Sequence, residues 1–398
     1  MRGVLTAAEN TRLTQVGPGT PAGALLRRYW YPIAITQDLS EERPTKYIRL
    51  LGEDLVLFRD KSGRVGLLAD HCSHRGASLL YGRVEERGIS CAYHGWLYDC
   101  EGNILETPPE RNDAIMRSVK HTAYPVQLFI GMYWAYLGPE PAPVIPNVDV
   151  WVRKDGRRTI TTHPPMDCNW FQAQENSVDP AHLQILHQDA SFRRRRPVNT
   201  TRGFTDDVAG FDFWMNDYGI MKKRTYVNGF TDEHPIVFPN VLRVQNGTEI
   251  RVPIDDGRTV IFEVFFNPTD DGSLLDEDES ELPVTDPGPY KDPPGAPHPL
   301  ARMAMDSVPQ QDQAMWETQG RTADRVSEHL SYSDRGVVLL RRVMFENIER
   351  VERGEEPFAV YRDPDHPMLD TNLQAALENR APQGINTETY EVEVPARG

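Results

Sequence analysis

Cys72-Ser-His74 and, sixteen residues on, Cys91-Ala-Tyr-His94 form the densest set of metal-binding side chains in the sequence. Two thiolates and two imidazoles on two turns can converge on one centre. A tetrahedral zinc with two Cys and two His is one reading. A [2Fe–2S] centre, with both cysteines on one iron and both histidines on the other, is the second. Zinc sites more often pair CxxC with HxxxH, so that each half supplies one ligand type. Here each segment supplies one Cys and one His, which suits a two-iron cluster gripped from both sides. Neutral imidazole in place of thiolate would raise its potential to roughly −150 to +300 mV.

Residues 175–187 read Glu-Asn-Ser-Val-Asp-Pro-Ala-His-Leu-Gln-Ile-Leu-His. His182 and His187 are five apart, which on an ideal α-helix leaves the rings about 140° from each other. Binding one metal from that spacing needs a helix end or a π-bulge. The residues alone equally allow Asp179 as an N-cap, Pro180 at N1 and two surface histidines.

C-x-H-x16-C-x2-H, with Arg75-Gly76 after the first His and Gly95-Trp96 after the second, resembles the Rieske motif of ring-hydroxylating oxygenases. D-x2-H-x4-H downstream resembles the mononuclear iron motif of the same family. The resemblance implies that Cys72 and Cys91 bind one iron of a Rieske [2Fe–2S] cluster, and His74 and His94 the other. It implies non-haem Fe(II) on His182, His187 and a distant carboxylate, a facial triad that leaves positions open for O2. Asp312, in VPQQDQAMWETQG, is the carboxylate expected, with Asp306 second and Glu317 nearby. In the family the Asp three residues before the first His ligand sits between two metal sites. By that analogy Asp179 bridges His94 of one chain and His182 of another, in a head-to-tail homotrimer.

The implied activity is that of a terminal oxygenase, either cis-dihydroxylating or monooxygenating an aromatic substrate. O-demethylation of a methoxylated aromatic acid is the alternative within the same iron chemistry. Residues 308–334 look like the C-terminal signature of the phthalate dioxygenase-like subgroup, which implies an aromatic carboxylate and a separate flavin and iron–sulfur reductase. No nicotinamide or flavin fingerprint is read in this chain. An arginine is the expected partner for a carboxylate. Arg243 is the candidate, with Arg224 and Arg193-Arg194-Arg195-Arg196 behind it; Phe213 and Phe238 are expected along the pocket. A Rieske electron carrier without catalysis and a zinc-stabilised binding module are the competing classes.

The elements that must hold these groups are α+β in pattern. Short strands with Gly turns fill 45–140, as in TKYIRLLG, DLVLFRD, RVGLLAD and GMYWAYLG. They predict an antiparallel sandwich. After Pro146 a helix is expected around CNWFQAQENSVDPAHLQILH, then strands at FDFWMND, KKRTYVN, VLRVQ, RVPI and RTVIFEVFF, and helices over 309–320 and 334–353. The expected domains are 1–150, a Rieske β-sandwich with an N-terminal extension, and 151–398, a catalytic antiparallel sheet with helices of the helix-grip type that the resemblance implies. Residues 268–299, rich in Pro, Asp, Glu and Gly, read as a long solvated loop or a partly ordered excursion. The 398 residues carry 43 Lys+Arg against 59 Asp+Glu, a net charge of −16, which argues against nucleic acid and anionic lipid as partners. Neither a signal peptide nor a membrane span is read, so the expected location is cytoplasmic. Four cysteines fit a reducing compartment, with Cys100 and Cys168 as structural residues.

Overall fold

The computed structural model describes residues 4–187, 208–288, 290–291, 305 and 307–380. Helix α1 (Ala7–Thr14) starts at a Thr6/Glu9 capping box, and α2 (Pro21–Leu26) at a Thr20 cap with proline in its first turn. This N-terminal extension touches both halves: Arg27 pairs with Glu53 of the strand-rich half at 2.6 Å, and other contacts run to the second half. Leu5 N donates to Arg325 O at 3.2 Å, Asn10 Nδ2 donates to Ala323 O at 3.0 Å, and α2 packs on the long helix 335–352.

Strands β1 (Trp30–Ile35), β2 (Thr45–Leu50), β3 (Glu53–Arg59), β4 (Val65–Ala69), β5 (Arg83–Glu85), β6 (Gly88–Ser90), β7 (Leu97–Tyr98) and β8 (Ile104–Glu106) lead to α3 (Ala114–Ser118). Then come β9 (Ala123–Tyr124), β10 (Val126–Phe129) and β11 (Met132–Tyr136). They form three antiparallel sheets, β2-β3-β4-β9, β5-β6-β7-β8 and β1-β11-β10. Period-two alternation lets β3 serve two cores. Leu55 and Leu57 join the main core, while Val56 and Phe58 join a smaller one with Leu68, Ile89 and Trp96. Strands β6 and β7 pair, and residues 91–96 form the loop between them.

The second half contains α4 (Asp149–Val152), β12 (Gly156–Thr162), α5 (Trp170–Asn176) and α6 (Ala181–Ile185). It continues with β13 (Val208–Met215), β14 (Gly219–Tyr226), β15 (Thr231–Val237), β16 (Val241–Val244), β17 (Gly247–Asp255), β18 (Arg258–Pro268) and β19 (Val284–Thr285). Helices α7 (Val308–Thr318), α8 (Arg335–Glu352) and α9 (Leu373–Arg380) close the described chain. One eight-stranded sheet runs β13-β14-β15-β16-β17-β18-β12-β19, and helices cover it, so the fold is α+β. In α8, Val337, Leu340, Met344, Ile348 and Val351 are buried at the spacing expected, and Gly354 ends the helix at φ +75.

Of the two alternatives for 268–299, the partly ordered one holds where the segment is described. Its β19 pairs in parallel with β12, Leu282 is buried, and Glu277 pairs with Arg158 at 2.7 Å. The expected helix across 168–187 is two helices. Pro180 lacks an N–H and disfavours helical backbone at the residue before it, so the chain turns between Asn176 and Ala181.

Candidate metal centres

Two tight loops present the Cys/His set. Gly76 N donates to Cys72 O at 2.8 Å and Gly95 N to Cys91 O at 2.9 Å; the two glycines, at φ +73 and +75, make turns that other residues would resist. Cys72 N donates to Ala77 O and Cys91 N to Trp96 O, closing each loop on itself. Cys72 and Cys91 are buried, while the rings of His74 and His94 lie further out, 4.5 Å apart between centroids. Trp96 stacks on His74 at 4.6 Å and 8°, fixing that ring. His74 Nδ1 is buried with no protein partner, the sign of an atom oriented for a ligand outside the chain.

The surroundings tune the donors. Tyr98 Oη lies 3.0 Å from Cys72 Sγ. Burial pushes the Cys91 thiol up, the backbone N–H groups of Tyr93 and His94 pull it down, and Cys72 pushes it up again. Desolvation, then His74 and Arg75, hold His94 below its ordinary value and so favour the neutral imidazole a metal needs. Inner sulfurs and outer imidazoles fit a cluster with one iron of each kind.

The second centre forms where α6 and α7 meet. Helix α6 stops at Ile185, and Leu186 N donates to His182 O at 2.7 Å. Leu186, the cap, keeps helical backbone, and the two rings still approach, with centroids 5.3 Å apart. Asp312 Oδ1 lies 3.6 Å from His182 Nε2 and 3.5 Å from His187 Nε2. Ligand atoms of these three residues all fall within 4.8 Å of one another, and no other such group occurs among the described residues. Two imidazoles and one carboxylate form a donor set suited to ferrous iron.

The opposite nitrogens are also held. His187 Nδ1 is 2.8 Å from Gln311 Oε1, and Gln311 is fully buried and donates to Met305 O at 3.1 Å. His182 Nδ1 is 3.5 Å from Asp179 Oδ2, while Asp179 Oδ1 accepts from Ala181 N at 2.9 Å. Asp179 therefore accepts from the first N–H of α6 and faces His182 at once, its side chain still 30% exposed. Burial alone would raise Asp179 and Asp312. The His182 interaction outweighs it for Asp179, and the His187 hydrogen bond, both imidazoles and Arg251 outweigh it for Asp312, so both sit below the usual carboxylate range. For His187 burial is again overcome, by Asp312 and Gln311, and its pKa rises.

Sequence reasoning missed Gln311 and Asn176. Asn176 Nδ2 lies 3.2 Å from His182 Nε2 and 3.3 Å from Asp312 Oδ1, inside the triad. Their only sequence signal was adjacency to a ligand or to Glu175, and neither amide is a metal-ligand type. Arg243 does not do what was expected of it. It is fully buried, and its guanidinium donates to the backbone carbonyls of Thr371 (2.8 Å), Gln245 (3.1 Å) and Glu233 (2.6 Å), which leaves it no free face for a substrate. Arg224 is paired with Asp232. Phe238 packs on Tyr29 and Phe358 in the main core. Glu317 is engaged by Gln313 and Lys291, each at 2.8 Å. Asp306 and Arg193-Arg194-Arg195-Arg196 lie outside the described residues. Cys168 is fully buried beside Met166 and Trp316, its thiol pushed up to about 12 by burial, and Cys100 is partly buried; both fit structural roles.

Comparison with other proteins is consistent with both centres. Residues 29–125 match the Rieske [2Fe-2S] domain and residues 302–381 the LigXa C-terminal domain like family. The 5,5'-dehydrodivanillate O-demethylase oxygenase subunit of Sphingobium sp. (strain NBRC 103272 / SYK-6) is 38% identical over 375 residues, 91% of this chain and 84% of that protein. The phthalate 4,5-dioxygenase oxygenase subunit of Pseudomonas putida is 34% identical over 399 residues, 88% of each. Among solved structures, the oxygenase in the reduced complex with ferredoxin of carbazole 1,9a-dioxygenase superposes with a TM-score of 0.62 at 21% identity, over 89% of this chain and 99% of that one. Similarity this extensive to named oxygenase subunits, in a chain whose two donor sets suit a cluster and a single iron, places the protein in the Rieske non-haem iron oxygenases, as an oxygenase component whose cofactors are a [2Fe–2S] cluster and a mononuclear iron.

Proposed function

We propose that this oxygenase component hydroxylates an aromatic substrate held between the α6–α7 junction and the large sheet. The convergence of His182, His187 and Asp312 within 4.8 Å carries the reading. In it, Cys72 and Cys91 hold one iron of the cluster, His74 and His94 the other, and the triad holds the mononuclear iron. The bound irons supply O2 activation and electron delivery. The chain's own residues do the positioning. Gln311 fixes the tautomer of His187 so that Nε2 faces Asp312, and Asp179 does the same for His182. Burial of His187 and Asp312 keeps bulk water from the reacting centre.

Either outcome consumes O2, two electrons and two protons. Both oxygens enter the ring in cis-dihydroxylation; in monooxygenation one leaves as water. O-demethylation is the second reading, favoured by the O-demethylase name of the 38% identical relative. Hydroxylation of a methoxy carbon would then release a phenol, formaldehyde and water. Electrons come from a separate protein with flavin and iron–sulfur groups, in keeping with the ferredoxin bound to the similar carbazole oxygenase. Chains assemble head to tail into a homotrimer, with Asp179 between His182 and the neighbour's copy of His94. The partial exposure of Asp179 and the outward His74 and His94 rings support that arrangement. No helix among the described residues is long and apolar enough to cross a membrane, and all four cysteines are free, which supports a cytoplasmic setting.

The test is turnover with a surrogate ferredoxin and reductase on aromatic acids with and without methoxy groups. Substrate-dependent O2 uptake with a diol, phenol or formaldehyde is expected. Metal-loaded protein that passes electrons but oxygenates none of them would favour an electron carrier.

A further inference from the structure

The register of the large sheet shows which residues face the iron triad. On antiparallel strands directly opposite residues point the same way. The pairs Ile220↔Ile236, Ile236↔Leu242, Leu242↔Glu249 and Glu249↔Glu263 carry one face from β14 to β18. Two-residue steps place Lys222, Arg224, Asp232, His234 and Arg251 on it too. Arg251 lies over the ring of Trp316 at 5.7 Å, and Trp316 is one turn beyond Asp312 on α7. This is therefore the face that α7 covers.

Other cations of the face have carboxylate partners. Arg224 pairs with Asp232, His234 lies 2.8 Å from Asp232, and Arg251 is 2.8 Å from Glu249. Beside them, His163 lies 3.0 Å from Glu263. Lys222 is 3% exposed and has neither an ion pair nor a side-chain hydrogen bond among the described residues. A lysine buried this far without a partner among the described residues is unfavourable, and an apolar side chain of similar volume would fit at less cost. Such a position makes sense where a ligand completes it.

We propose that Lys222 is the residue that reads an anionic substituent of the substrate, and that the substituent is the carboxylate of an aromatic acid. This rests on the oxygenase reading above and assigns Lys222 the part that Arg243 cannot play. A carboxylate is already ionised at neutral pH, whereas a phenol is not. The surroundings agree. Burial, with Arg224, pushes the Lys222 pKa down to about 7, against the pull of Asp232 and Asp179, and Arg251 pushes it the same way as Arg224. These, with His234 opposite on β15, are the charged groups that face it. A bound carboxylate would restore the charge. Below pH 7 the ammonium is already present. Above it, binding must take up a proton, so acid affinity falls about tenfold per pH unit.

The test is anaerobic calorimetry on the metal-loaded oxygenase, with phthalate, 3-phenoxybenzoate and 4-methoxybenzoate as probes beside their amides. At least one acid should bind about tenfold or more tightly than its amide. At pH 8 that binding should take up close to one proton, read from its dependence on buffer ionisation heat. Lys222→Met should abolish the preference and the proton uptake, leave amide binding within about twofold, and melt no lower than the parent; Lys222→Arg should keep most of the preference. Equal binding of acid and amide by the parent, unchanged acid binding by Lys222→Met, or equal loss of acid and amide would overturn the proposal. The proton count uses the parent protein alone and stands even if Lys222→Met does not fold. Failure of acids, amides and neutral rings alike would instead overturn the aromatic-substrate reading, and this inference with it.

Discussion

Cys72, His74, Cys91 and His94 come from one short stretch held by its own backbone turns, whereas His187 and Asp312 stand more than a hundred positions apart and meet only through tertiary structure, with α7 packed on α5. The first centre is set by local geometry: two glycine turns, two self-closing loops and one stacked tryptophan. The second is set by tertiary structure, and its imidazoles are aimed by Gln311 and Asp179, residues that bind no metal in this account. A locally encoded site should fail only when its own residues change. An assembled site should also fail when its supports change.

The largest effect expected is at the cluster. Cys91→Ser should abolish the visible absorption and reduced-state paramagnetic signal of the cluster and all coupled turnover, yet leave mononuclear iron in place, because the triad shares no residue with the loops. Next, Asp312→Ala should lose mononuclear iron and turnover while the cluster spectrum stays intact. Gln311→Leu sharpens the comparison. It removes the acceptor at His187 Nδ1 and should weaken mononuclear iron binding roughly 10- to 100-fold, measured by iron competition with a chelator, with no change at the cluster. Asp179→Asn should keep both metals and slow electron transfer between them by roughly 10-fold or more, read in single-turnover oxidation of the reduced cluster. Retention of both metals with full coupled turnover would remove the bridge from the mechanism. The smallest functional effect is at Arg243. Arg243→Met should destabilise the fold by about 3 kcal/mol, seen in denaturant unfolding, because three buried carbonyls lose their donor. It should leave acid-over-amide preference untouched.

The same contrast explains what could be read from residues alone. The cluster loops are a sequence pattern, so their four candidate ligands were legible at once. The short apolar run between charged ends in DLVLFRD and the helical spacing in 334–353 were legible because each is a local pattern. The His182/His187 spacing was ambiguous because helical phase alone sets the rings apart, and their approach to each other shows only beside Asp312 of α7. Arg243 was misread because a strand arginine looks the same in sequence whether it faces a substrate or three backbone carbonyls. Lys222 stood in KKRTYVN with nothing to mark it, since its lack of a partner among the described residues shows only once β14 to β17 stand in one sheet. Asn176 and Gln311 were hidden for the same reason.

The central claim is that one chain holds two separate iron centres with divided ligand sets. Iron and acid-labile sulfide, measured together on the parent and on Asp312→Ala, test it most directly. The account predicts about three irons and two sulfides per chain in the parent, and about two irons with the same two sulfides in the variant. Zinc without sulfide, or iron content unchanged in Asp312→Ala, would contradict it.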